Sequence, residues 1–249
     1  MSAAAGPGPA ARVSRTDQVV EGITAMILDG RLGPGDRLPV EKDLAAALDV
    51  SRGSLREGVR ALVVLGVLEA RQGSGTYVTT LAPGLGVRPL GLVLELQGLD
   101  HAVHMHEVRR LLETEAAGRA AVTARATPER LGAAAAALAG AARLLADGLG
   151  DGDPTAAHEA FLDADLGFHR AVALAADNPV LAALVEALAG RTARHRLRRG
   201  LAQGGSVQLT QAEHEAILDA VLAGDPGRAR VRMAAHLLGV EDFLRAEDA

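Results

Sequence analysis

"ILDGRLGPGDRLPVEKDLAAALDVSRGSLREGVRALVVLGVLEARQGSGTYV", residues 27–78, decides the fold of the N-terminal part of this chain. Its "GRLGPGDRLP" segment carries Gly and Pro too densely for regular structure. "VEKDLAAALDV" then predicts a short helix with Leu44, Ala45 and Leu48 on one face. Ser51 is a good N-cap for the next helix, "RGSLREGVRALVVLGV", whose Leu55, Val59, Leu62 and Val63 face inward. "LEARQGSGTYVTT" reads as two short strands around a Gly-Ser-Gly tip. Upstream, "TDQVVEGITAMILD" places Val19, Val20, Ile23, Ile27 and Leu28 at helical spacing. Helix, helix, turn, helix and a two-stranded wing is the order of a winged helix-turn-helix domain, here residues 16–80.

In a helix-turn-helix the second helix enters the major groove, and its first turns meet the base edges. Here that helix offers Ser51, Arg52, Ser54, Arg56 and Arg60. Arg52 and Arg56 are four residues apart and share a face. Arg suits bidentate contact with guanine, while Ser51 and Ser54 reach phosphates. A solvated charged face is the alternative for the helix taken alone.

Outward from this domain, residues 1–15 read as a disordered tail, with Gly and Pro where a signal peptide needs an apolar core. Residues 81–99, opening with "LAPGLGVRPLG", read as a linker. Residues 100–246 hold six helical segments, beginning near Asp100, Thr127, Pro154, Pro179, Ser206 and Asp225, with loops short enough for an antiparallel bundle. The fold class is therefore mainly α: a winged helix-turn-helix with a small β-hairpin wing, then an all-α antiparallel bundle.

Composition agrees. The 249 residues contain no Trp, one Tyr and three Phe, so the cores are built from Ala, Leu and Val. The absence of Cys leaves His and carboxylates as the metal donors and fits a cytoplasmic location. No apolar run reaches the length of about 18 residues needed to span a membrane. The net charge of −5 argues against non-specific coating of nucleic acid but leaves room for a local basic surface.

Residues 27–78 resemble the N-terminal domain of GntR-family transcription regulators. The resemblance implies operator DNA contact by Lys42, Ser51, Arg52, Arg56 and the wing residues Gln72 and Gly73. The sequence departs from the family pattern at Gly53, where Thr is common, and at Val40, often a small or polar residue. Gly53 has no side chain to make that contact, so readout at that point is either relaxed or moved to Ser54. Lys42 is the only lysine, so a fused half holding pyridoxal phosphate on a lysine is excluded. In the second half, "HEVRRLLETEAAGRAA", "DADLGFHRAVALAADNPVL" and "EHEAILDAVLAGDPGRARVRMAAHL" resemble the FadR-like subgroup with its FCD-type ligand-binding bundle.

Within that bundle, Asp165 and His169 stand one turn apart on one helix face. His214 and His236 sit on two later helices beside core-facing apolar residues. Three His and one Asp suit a divalent cation, Zn²⁺ first, with Ni²⁺ or Mn²⁺ also fitting, and positions left for water or ligand. The resemblance implies the same four residues as metal ligands. A buried Asp165–His169 hydrogen bond without metal is the alternative. Imidazole ligands predict that metal affinity falls below about pH 6.5.

The resemblance also places Arg109 in the effector cavity, where a guanidinium clamps a carboxylate; an ion pair with Glu113 is its alternative. His101, His104 and His106 in "HAVHMHE" read as solvated, His158 as a surface residue, and the arginines of "RTARHRLRRG" as a solvated face. The function implied is a ligand-responsive, homodimeric transcription regulator of palindromic operator DNA, a repressor released by a small organic acid, with activation as the alternative sign of the response. The rivals are a metal-dependent hydrolase using Glu213 or Glu215 as base, and a regulator whose metal is structural or is itself the signal.

Overall fold

The computed structural model describes residues 14–87, 102–147, 154–202 and 204–247. The chain divides into two compact units, residues 1–86 and 87–249.

The N-terminal unit begins with α1 (Arg15–Leu28). Ser14 caps it: its hydroxyl accepts from the Asp17 amide at 3.0 Å, and the Asp17 carboxylate accepts from the Ser14 amide at 3.2 Å. Residues 14 and 15 thus belong to a capped helix rather than to the tail. Residues 1–13 lie outside the described residues. Helices α2 (Glu41–Ala47) and α3 (Arg52–Val64) follow, then β1 (Leu68–Arg71) and β2 (Gly75–Val78), paired antiparallel from Leu68↔Val78 to Arg71↔Gly75. Arg37 adds an antiparallel bridge to Tyr77.

Ser51 caps α3, its hydroxyl accepting from the Ser54 amide at 3.1 Å. Val19 and Ile23 of α1 pack with Leu44, Leu55, Leu62, Leu68 and Val78 into one aliphatic core. Val59 and Val63 are partly buried against it, whereas Leu28 is exposed. Gly58 lets α1 approach α3, because a Cβ there would stand 2.5 Å from Val19.

Residues 83–87 are helical, inside the stretch read from sequence as linker. Residues 88–101 lie outside the described residues.

The C-terminal unit contains α4 (Ala102–Ala124), a 3₁₀ turn (Pro128–Leu131), α5 (Gly132–Ala146), α6 (Pro154–Ala175), α7 (Pro179–Ala202), α8 (Ser206–Leu222) and α9 (Pro226–Glu247). The Ala-rich run does form a helix, α5, with Ala134, Leu138 and Ala141 buried. Ala117, Ala120 and Ala121 of α4 join Phe168 and Val172 of α6, Ile217 and Val221 of α8, and Met233 and Leu237 of α9 in the main core. The small face of α4 admits large side chains from its neighbours, which is how a chain poor in aromatics fills its interior. Toward the N-terminus of α4 the same inward face turns polar, with His106, Arg109 and Glu113 all buried.

Candidate metal centre and nucleic-acid interface

Asp165 and His169 of α6, His214 of α8 and His236 of α9 meet inside the bundle, all buried. One ligand atom from each lies within 4.8 Å of the other three. His214 Nε2 stands 3.2 Å from His236 Nε2 and 3.6 Å from Asp165 Oδ1, and His169 Nε2 stands 3.9 Å from that oxygen. Donors bonded to one cation at about 2.0–2.2 Å are spaced roughly 3–4 Å apart, so the arrangement fits a single ion with slight side-chain adjustment. At 3.9 Å, Asp165 and His169 do not hydrogen bond to one another.

Carboxylates set the imidazole tautomers. Glu213 Oε2 accepts from His236 Nδ1 at 2.8 Å, and Glu113 of α4 meets His169 Nδ1. Holding the proton on Nδ1 turns each Nε2 lone pair toward the cluster, the arrangement of histidine metal ligands. His169 Nε2 is buried with no hydrogen-bond partner among the described residues, an orphan that a cation would satisfy. Phe168 stacks on His214 with ring centroids 4.4 Å apart.

Burial favours the neutral imidazole in each case. It lowers the pKa of His169 against the pull of Glu113, and it lowers that of His214 further, with the other imidazoles and nearby guanidiniums adding to the effect. His236 is lowered to about 4 by burial, partly opposed by Glu213. Burial works to raise the pKa of Glu113, but Arg109 and His169 outweigh it and hold the carboxyl well below its usual range.

Arg109 is fully buried, ion-paired with Glu113, and donates to Thr192 Oγ1 at 3.4 Å. Its Nη2 has no partner among the described residues. A cavity of about 40 Å³ opens beside the cluster, lined by Asp165 and His236 together with His158, Phe161, Arg196, Arg199, Ser206 and Thr210. Arg109 does not line it. Arg196 contacts Asp165 and donates from Nη2 to the Ala189 carbonyl at 2.9 Å, while its Nε is buried without a hydrogen-bond partner among the described residues.

Several sequence readings are corrected here. His106 is buried rather than solvated, His104 is exposed, and His101 lies outside the described residues. His158 is half-buried at the cavity. Arg196 and Arg199 are buried, because α7 carries its apolar stripe of Val185, Leu188 and Thr192 onward through them at helical spacing. That spacing was the available signal for both arginines. Glu113 gave a comparable one, in line with Arg109 on the inward face of α4. Glu213 is engaged by His236, and Glu215 accepts from Gln211 at 2.7 Å, so both carboxylates suggested as a hydrolytic base have other partners.

In the N-terminal unit, Lys42, Ser51, Arg52, Arg56, Gln72 and Gly73 are exposed and Ser54 is half-buried. Gly73 takes a left-handed φ of 71° in the wing tip. Ser51 Oγ lies 3.0 Å from Ser54 Oγ. Arg56 is held by Glu41 in a two-point ion pair, Nη2–Oε2 2.8 Å and Nε–Oε1 3.0 Å. Arg52 has no ion-pair partner among the described residues.

Residues 15–78 match the bacterial regulatory proteins of the gntR family, and residues 104–239, more than half of the chain, match the FCD domain. The chain belongs to the GntR family, with an FCD domain. It is 36% identical over 224 residues to the HTH-type transcriptional regulator LutR of Bacillus subtilis, covering 88% of this chain and 96% of LutR. It is 33% identical over 244 residues to the putative L-lactate dehydrogenase operon regulatory protein of Escherichia coli, covering 94% and 87% of the two chains. A solved GntR structure from Streptococcus agalactiae superposes with a TM-score of 0.68 at 27% identity, over 92% of this chain and 99% of that one. This GntR/FCD protein is a ligand-responsive, DNA-binding transcription regulator. Among the described residues no helix is long and apolar enough to cross a membrane.

Proposed function

We propose that Asp165, His169, His214 and His236 hold one divalent cation, zinc first with nickel or manganese as alternatives, and that a short organic acid bound beside it controls operator binding. One observation carries this reading: four donors converge beside a cavity whose wall includes two of them, Asp165 and His236, together with a buried, incompletely partnered guanidinium, Arg196. The cation, when bound, supplies a positive centre with coordination left for a ligand oxygen.

The chain's own residues do the rest. Arg196 steadies Asp165 and offers Nε–H to the ligand carboxylate. Arg109 holds Glu113, which holds His169; its free Nη2 is the atom a ligand reaching past the cluster would meet. A cavity of about 40 Å³ accommodates only a few water-sized groups, which restricts the ligand to a short chain. The Escherichia coli relative is named for an L-lactate dehydrogenase operon, so L-lactate heads the ligands to be tried.

On the DNA side, Lys42, Ser51, Arg52, Ser54, Arg56, Gln72 and Gly73 contact the operator. A cytoplasmic homodimer presents two recognition helices to a palindromic site, each raising the effective concentration of the other. The acid releases repression through its different affinities for the DNA-competent and DNA-incompetent states.

The near-complete burial of the four donors favours a second reading, in which the cation is structural. Thermal unfolding of zinc-loaded protein against a panel of small carboxylic acids separates the two. The first reading expects stabilisation by at least one acid, lost after chelation and in Arg196→Ala. Stabilisation by zinc alone, with no acid adding to it, supports the structural reading and contradicts the first.

A further inference from the structure

A groove of about 390 Å³ runs between the recognition helix and the root of the wing. Its floor is apolar, with Leu38, Leu44 and Leu55 buried, while Arg37, Arg56 and Arg60 stand around it. Arg56 is already neutralised by Glu41. Arg37 and Arg60 are exposed and have no ion-pair partner among the described residues.

Arg37 is also placed. Gly75 adopts φ +120°, and a Cβ there would lie 2.7 Å from Arg37 Nε, so the guanidinium rests on backbone that only glycine leaves open. The backbone bridge from Arg37 to Tyr77 fixes it to the wing strand.

With α3 in the major groove and the wing residues Gln72 and Gly73 also on the operator, the sugar-phosphate strand bordering that groove runs between them. The groove between α3 and the wing is where that strand has to pass. We propose that Arg37 and Arg60 form a phosphate clamp on it, a site separate from the base-reading residues and resting on the reading that α3 lies in the major groove while Gln72 and Gly73 of the wing also contact the operator. Arg37 grips from the wing side and Arg60 from the helix side. Arg56, held by Glu41, is kept for a defined direction rather than drawn to the nearest phosphate. The clamp reads no base, so its contribution is equal on all duplexes and sensitive to salt.

The test uses the full-length protein with two probes, a duplex recovered by in vitro selection with the wild type and a random-sequence duplex, titrated over a range of salt. Each phosphate contact contributes about 0.9 to the slope of log affinity against log salt, so a substitution carried by both subunits of the homodimer lowers the slope by about 1.8, equivalent to about 60-fold in affinity at 0.1 M relative to 1 M salt. Arg37→Gln and Arg60→Gln are each expected to lose that much on both probes at unchanged melting temperature. Arg37→Lys and Arg60→Lys, which keep the charge, are expected to keep the slope. An unchanged slope in the double Gln variant overturns the clamp, as does a loss confined to the selected duplex. Arg52→Ala serves as the control: if it loses selected binding while the double variant does not, the clamp alone fails. If Arg52→Ala also leaves both probes unaffected, the docking that the clamp assumes fails with it.

Discussion

The two units of this regulator spend their polar residues in opposite ways. Among the described residues, every buried polar or charged side chain belongs to the C-terminal unit, from His106 to Glu241. The N-terminal unit packs an aliphatic core and leaves its cations on the surface. A surface that meets phosphates and base edges works best with solvated, long side chains. A chamber that senses a small molecule has to bring charges inside, where each is costly unless paired. The N-terminal unit therefore folds around apolar contacts alone, whereas the C-terminal unit buries polar atoms, His169 Nε2 and Arg196 Nε among them, that have no hydrogen-bond partner among the described residues.

The strongest way to break this contrast is to remove a buried partner. Glu113→Ala strands both Arg109 and the His169 Nδ1–H, and is expected to destabilise the protein by about 3–5 kcal/mol. Denaturant unfolding measures it; a loss within the ordinary surface range of about 0.5 kcal/mol would show that the network is not under this tension.

Next in size is metal removal. Zinc at 100 times its dissociation constant adds about 2.7 kcal/mol, or roughly 5–10 °C in melting temperature for a unit of this size. Calorimetry with and without chelator is expected to move the transition of the C-terminal unit alone.

The buried imidazoles also fix a pH sign. Free imidazole takes its proton near pH 6.5, while burial lowers His169 and His214 and holds His236 at about 4. As pH falls from about 6.5 toward 4 the unfolded chain takes up protons that the folded one refuses, so metal-free protein loses stability across that window. The neutral imidazoles also keep metal affinity below the pH 6.5 that solvated histidine predicts. Metal release centred at or above pH 6.5 would contradict their burial.

The smallest expected effect falls on the surface unit. Arg52→Ala is expected to weaken selected-duplex binding by about 1–3 kcal/mol and to relax selectivity at one position, with stability unchanged. Anisotropy on the selected and random duplexes decides it, and an equal loss on both would make Arg52 a phosphate contact.

The same contrast explains what the sequence made legible. The N-terminal unit is specified by local signals: the Ser51 cap, the Gly and Pro run, the hairpin glycines. All of these act within a few residues and can be read along the chain. Asp165 and His169 were legible for the same reason, being one turn apart. His214 and His236 stood out as histidines beside core-facing apolar residues, but their meeting with Asp165 and His169 leaned on family resemblance, since nothing local says that three helices converge. Glu113 and Glu213 complete the site across helix contacts that sequence separation hides. Arg196 and Arg199 were misread because a run of arginines looks solvated, although their place on the buried stripe of α7 marks two of them as interior.

The most direct measurement is the zinc content of chelator-stripped, zinc-titrated protein after equilibrium dialysis, for the wild type and for the His214→Ala/His236→Ala variant. One tightly held ion per wild-type chain, lost in a variant that keeps its helical circular dichroism, is the predicted result. No bound ion in the wild type, or equal binding in the folded variant, would contradict a cation held by these side chains.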